Sequence, residues 1–340
     1  MDERDPDRPG LVFLAALRGA LGRTPLWIVC WAVPLCLALV IAVSWKSWLS
    51  DALEHRYEPG SALASFDETF RFDHRAEIGA LRDGGAQTVG VLALLVMIFG
   101  VFSAGGWLQV FLERTAGHSL RRFLWGGSRY FWRFARLWIL TILVLSLSAW
   151  ILYAWPWKNL VMGFLFGAPD GETEVLHSEL TAVTLGWVQA GLYAGLFALI
   201  LVWGDYTRTR LALLDGRSSI WAGLCTLGLL LRHPWRLLRP MLLITGVEGL
   251  VLCLAGWLSW RISVGAGDSS WMGIALLLAL GQFALIWRAI SRGARYHAAV
   301  VVSRALVPPL TKPDPWASRV GGPGGPQYPI DTSDDYGVSL

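Results

Sequence analysis

Between Arg23 and Lys46 the chain carries no charged residue at all, and that gap limits the folds open to it. A helix needs roughly 20 consecutive apolar residues to cross the hydrocarbon of a bilayer. In lipid every backbone amide must be satisfied internally, which leaves helices or closed barrels. Six runs meet or approach the length: about 26–48, 88–112, 137–155, 181–203, 240–260 and 271–290. The last reaches it only if Arg288 snorkels toward the interface. Charged residues make up 16% of the 340 residues, against about 25% in soluble domains. The expected fold is therefore all-α: a six-span polytopic membrane domain over 1–305. Residues 306–340, rich in proline and glycine, cannot bury enough apolar surface to fold alone and are expected to form a disordered tail.

Basic residues accumulate on the cytoplasmic side of membrane proteins. The N-terminal tail, the 113–136 and 205–239 loops and the segment after 287 hold 22 of the 29 lysines and arginines. Both termini are accordingly expected inside. Tryptophan collects at the two bilayer interfaces. Trp48, Trp150, Trp187, Trp257 and Trp271 fall at the expected outer ends, and Trp27, Trp107, Trp138, Trp203 and Trp287 at the inner ends. Arginine outnumbers lysine 26 to 3, a bias of GC-rich bacterial genomes, so a bacterial plasma membrane is the expected location.

A stretch mixing basic and apolar residues precedes each odd-numbered span: 10–27, 117–138 and 216–240. Such stretches suit amphipathic elbow helices lying in the inner interface, arginines toward the headgroups. Gly117, Ser119 and Arg133 match Gly216, Ser218 and Arg232 at one offset, while Gly19, Leu21, Arg23 and Pro25 match Gly228, Leu230, Arg232 and Pro234. The matches suggest a three-fold internal repeat, each unit an elbow and a spanning hairpin. Ser119 and Ser218 are candidate N-caps. Pro25, Pro234 and Pro240 stand where an elbow would turn into a span.

The runs "AGGWLQVFLERTAGHSLRRFLWGGSRYFWRFARLW" and "GDYTRTRLALLDGRSS" resemble a group of uncharacterised bacterial six-span membrane proteins. In layout alone the chain is also similar to YciC-like and other domain-of-unknown-function families. The resemblance implies the fold and no mechanism.

Ionisable groups inside a span are costly and mark pathways or structural pairs. Glu248 lies roughly 18 Å inward of Trp260 by helical rise, Gln282 roughly 16 Å inward of Trp271, and Gln189 about 12 Å inward of Thr181. Glu248 and Gln282 are thus expected at one depth. They form either an uncharged interhelical tie or a proton or cation site. Gly191 and Gly195, four apart, mark a helix-packing face, within the chain or between copies of it. Arg121, Arg122, Arg129, Arg133 and Arg136, with Arg208, Arg210, Arg232 and Arg236, read as contacts to anionic lipid headgroups or to a protein partner. Their place beside spans argues against nucleic acid. Asp205 and Arg208 stand three apart and can pair.

His55 and His74 sit among acidic residues of the first outer loop, where solvated charge outweighs metal binding. No G-x-S-x-G, H-E-x-x-H, P-loop or dinucleotide fingerprint occurs, and no cofactor or metal is expected. The leading expectation is a non-enzymatic structural or accessory subunit that organises lipid or partner proteins. The alternative is a small transporter or permease subunit with a polar site at Glu248 and Gln282.

Overall fold

The structure is a computed structural model that describes residues 9–53, 72, 74–113, 118–167, 178–216, 218–265 and 271–306. The expected tail from 307 onward and His55 lie outside the described residues, as does Gly117 of the repeat match. The described residues contain no strand. In chain order the helices are α1 (Pro9–Leu21), α2 (Thr24–Leu53), α3 (Arg75–Leu112), α4 (Ser119–Tyr153), α5 (Glu179–Leu213), α6 (Ser219–Arg232), α7 (Pro234–Gly265) and α8 (Trp271–Leu306). A π-helical turn, Trp157–Leu165, follows α4. Six of these stretches are long and apolar enough to cross a membrane, and they begin at Thr24, Arg75, Ser119, Glu179, Pro234 and Met272. The chain is a multi-pass membrane protein. An even number of spans brings both ends of the bundle to one side, called here the termini side.

Proline decides where the elbows separate. Pro25 and Pro234 stand in the first turns of α2 and α7, where a missing amide costs nothing, and α1 and α6 end just before them. The second expected elbow has no proline between 117 and 155. It continues without a break into its span as one 35-residue helix, α4. Three equivalent elbows are therefore not what forms: two short helices are separate and the middle one is fused. Pro240 lies inside α7 rather than at its start. Ser218 caps α6 by accepting from the Trp221 amide at 3.3 Å. Ser119 caps nothing, since His118 holds the cap position of α4.

Packing concentrates on the termini side. One buried cluster joins Leu26, Trp107, Leu108, Phe123, Phe134, Leu137 and Tyr296, and a second joins Val12, Ala16, Val202, Tyr206, Leu237, Met241 and Ala298. Trp107, expected at the interface, is fully buried instead; its position along the span is compatible with both places, and only the neighbouring helices decide. Toward the far side the spans expose Leu94, Leu143, Leu192, Leu250 and Leu278, as lipid-facing surfaces do. α6 buries Ser219, Ala222, Gly223 and Thr226 and exposes Ile220, Trp221, Leu224 and Leu231, an apolar outer face suited to the edge of a bilayer.

The Gly191 and Gly195 face does not pack within the chain. A Cβ at either position meets nothing within 4 Å. The close crossing occurs elsewhere, where Gly105 of α3 meets Gly126 and Gly127 of α4, Gly106 lies against the Phe123 ring and Gly127 against the Phe102 ring. Those glycines are flanked by large apolar groups, which let the two helices bury Phe123 and Trp107 between them.

Candidate functional site

Arg288, Arg292 and Arg295 follow one another on α8 at four- and three-residue steps, which stacks them on one face of the helix. That face looks into a cavity of about 630 Å³ bounded by five of the six spans. α2 contributes Cys30, Trp31 and Pro34; α3 contributes Phe99 and Ser103. α5 adds Asp205 and Arg208, α7 adds Thr245, Glu248 and Gly249, and α8 adds the three arginines with Tyr296. Of the six spans α4 contributes no residue to this lining.

Local structure explains how each group is held. Tyr206 donates to the Leu237 carbonyl at 2.9 Å, fixing α5 against α7 and turning Asp205 inward. Asp205 pairs with Arg208, one turn on, at 2.8 Å. Arg295 lies between the two carboxylates, 3.9 Å from Asp205 Oδ2 and 3.7 Å from Glu248 Oε2. Arg292 donates to the Gly100 carbonyl at 2.7 Å, and the same oxygen accepts from Ser103 at 3.0 Å. A side chain at Gly100 would sit 3.3 Å from that guanidinium, so glycine keeps the approach open. Arg288 makes no hydrogen bond or ion pair with any described residue. Glu248 Oε2 and the Nε atoms of Arg208 and Arg295 are buried without a hydrogen-bond partner.

An arginine at mid-membrane costs about 3 kcal/mol on insertion scales, which makes three on one span face informative. By helical rise they lie roughly 26–36 Å inward of Trp271, against a hydrocarbon thickness of about 30 Å. They stand at the termini-side boundary of the apolar layer. Arginine stays protonated at any accessible pH. Four arginines and two carboxylates line the cavity, an excess of two positive charges if both acids ionise. Farther from the termini side the same helices line the cavity with Val96, Phe197, Leu252 and Leu285, all apolar.

The expected pairing of Glu248 with Gln282 does not occur. Gln282 accepts from the Trp31 indole at 2.8 Å, while Glu248 faces Arg295. Two causes combine. α7 runs on to Gly265, so counting inward from Trp260 sets Glu248 about 7 Å too shallow. Arg295, in turn, lies roughly 20 Å beyond Gln282 along α8. The neighbour of Glu248 is thus a guanidinium, 3.7 Å away, in place of the expected amide. Gln189 is also apart from it and donates to the Leu152 carbonyl.

The arginines expected to meet lipid or a partner divide into two groups. Arg122 pairs with Glu113 at 3.1 Å. Arg133 and Arg129 both hold Asp215, which sits in the left-handed region at φ 47° between α5 and α6, and the Arg133 carbonyl accepts from Ser219. Arg208 belongs to the cavity, and Arg210 is half-buried. Arg121, Arg136, Arg232 and Arg236 are exposed on the termini side. Exposed ion pairs contribute little, so Arg133→Ala should lower stability by less than about 1 kcal/mol, and high salt should shrink the difference. Thermal unfolding at two ionic strengths measures both; a loss that salt leaves unchanged would contradict the assignment.

On the far side His74 pairs with Glu77 at 2.9 Å, and the Trp48 indole donates to the same carboxylate at 3.4 Å. Among the described residues no group of His, Cys, Asp and Glu has the make-up of a metal site. In the sequence Arg292 and Arg295 count only toward the basic segment after 287; their four- and three-residue steps from Arg288 are the signal that sets them on one helix face. No family model, curated protein or solved structure matches the chain.

Proposed function

We propose that the chain is a ligand-binding membrane protein of the permease type, with the five-span cavity as its binding site and both termini in the cytoplasm. The observation that carries this reading is the convergence of six charged side chains on one cavity at the edge of the apolar layer. A purely structural bundle gains nothing from that arrangement, because buried ion pairs rarely outweigh their desolvation. The cavity's size falls within the range of ligand pockets, about 300–1,000 Å³. The accessory-subunit reading loses ground because Arg122, Arg129 and Arg133 are engaged within the chain. The arginine-rich termini side supports the cytoplasmic placement.

Cys30 lines the cavity and supplies a built-in probe. With Cys36, Cys225 and Cys253 replaced by serine, a membrane-impermeant thiol reagent should label Cys30 in inside-out vesicles and not in right-side-out ones. Gly249→Trp should slow the labelling, since the added ring enters open space. A Cys30 that reacts only after unfolding would defeat the reading, and labelling from the other face would reverse the orientation.

A further inference from the structure

Resting on that reading, we infer that the cavity takes a phosphomonoester group, with Arg288 and Arg292 as its principal contacts. Charge supplies the first reason. Arg208 is matched by Asp205, and Arg295 is shared between Asp205 and Glu248. Neither Arg288 nor Arg292 forms an ion pair with a carboxylate among the described residues, although Asp205 also acts on Arg292 at longer range; two acids against four arginines leave two positive charges. A phosphomonoester carries about −1.5 to −2 at neutral pH. A cation would meet repulsion here, and a neutral solute would leave both charges uncompensated.

Geometry supplies the second reason. Guanidinium groups present planar forks that match phosphate oxygens two at a time. Arg288 and Arg292 stand one turn apart on the same face of α8, so one oxyanion can be gripped from two levels. The third reason is the polarity of the walls. Charge gathers on the termini side, and Phe197, Leu252 and Leu285 line the remainder. A phosphate on an apolar body fits both ends, and the arginines lie at headgroup depth. The phosphate group is the shared chemistry; a lipid or a soluble ester can supply it.

Glu248 then acts as the resident competitor for Arg295. It sits 3.7 Å away with Oε2 free of hydrogen bonds, so neutralising it releases a guanidinium for the ligand. The sign of this effect separates an anion site from a cation site.

The test uses the full chain in phosphatidylcholine nanodiscs. Binding is measured for phosphatidate placed in the nanodisc, for soluble glycerol 3-phosphate and inorganic phosphate, and for tetramethylammonium. Saturable binding of phosphatidate alone assigns a lipid ligand, and comparable binding of the soluble ester assigns a free solute. Arg288→Gln, at an exposed position, should weaken binding by about 10- to 100-fold. Glu248→Gln should strengthen it several-fold. Arg292→Lys, which keeps the charge near Gly100, should retain part of the affinity that Arg292→Gln loses. Phosphate binding that ignores Arg288→Gln and Gly249→Trp lies outside the cavity and overturns the inference. If tetramethylammonium or a neutral polyol binds and Glu248→Gln weakens it, the phosphate assignment falls while the ligand cavity stands. If no probe binds and Gly249→Trp leaves Cys30 labelling unchanged, both fall.

Discussion

Gly126→Leu should prevent α3 and α4 from closing on each other, the largest single loss expected in this protein. A Cβ at Gly105 would lie 2.6 Å from the Gly126 carbonyl oxygen, and one at Gly127 would lie 2.5 Å from the Phe102 ring. At Gly126 the added carbon meets the Cβ of Gln109, and at Gly106 it meets the Phe123 ring. Backbone confronts backbone at this crossing, so a rotamer change cannot relieve it. Overpacking a fitted core costs about 1–3 kcal/mol where neighbours can give; here the helices must move apart. Separation would uncover Trp107 and Phe123, both fully buried and in edge-to-face contact at 6.3 Å. Gly191→Leu is the matched control, because its side chain enters open space and should change stability by less than about 0.5 kcal/mol. Denaturant titration in micelles with size-exclusion profiles compares the two. Equal midpoints for both variants would show that the α3–α4 crossing does not hold the bundle.

That contrast also marks how far sequence reasoning reaches. Hydropathy identifies the six spans because the lipid requirement acts on each helix separately. The proline at 234 and its absence across 117–155 were equally visible, and they determine that α6 stands apart while α4 runs straight through. Lateral order is different. Gly191 with Gly195, and Gly105 with Gly106, are both small-residue pairs, and only the facing helix makes one of them a crossing. Glu248 shows the same limit. Its depth depends on where α7 ends, and its partner depends on which α8 residue comes level with it. The arginine stripe of α8 was legible in its spacing, yet those residues also satisfy the positive-inside pattern. One signal concealed the other.

Asp205→Ala should be the most damaging change to the cavity itself. Asp205 anchors Arg208 at 2.8 Å and Arg295 at 3.9 Å, and its side chain is only 11% exposed. Removing one member of a buried pair costs about 3–5 kcal/mol, mostly because the remaining charge is left desolvated. Partial access from the cavity places the expected loss near the lower end, about 3 kcal/mol. Glu248→Ala, at an equally buried position, should cost less than Asp205→Ala, since Glu248 holds one guanidinium rather than two, its ion pair is longer at 3.7 Å and one oxygen has no hydrogen bond. A double-mutant cycle separates loss of the pair from loss of packing. If Asp205 serves mainly to neutralise Arg208, then Asp205→Ala combined with Arg208→Met should recover most of the stability lost in Asp205→Ala alone. Should the double variant be as unstable as the sum of the singles, the two side chains act independently, and the charge balance assigned to the cavity would have to be redrawn. Phosphate offers a second reading of the same cycle. An anion bound near Arg208 and Arg295 should restore part of the stability of Asp205→Ala, in proportion to its concentration over its dissociation constant, while leaving Gly126→Leu unaffected.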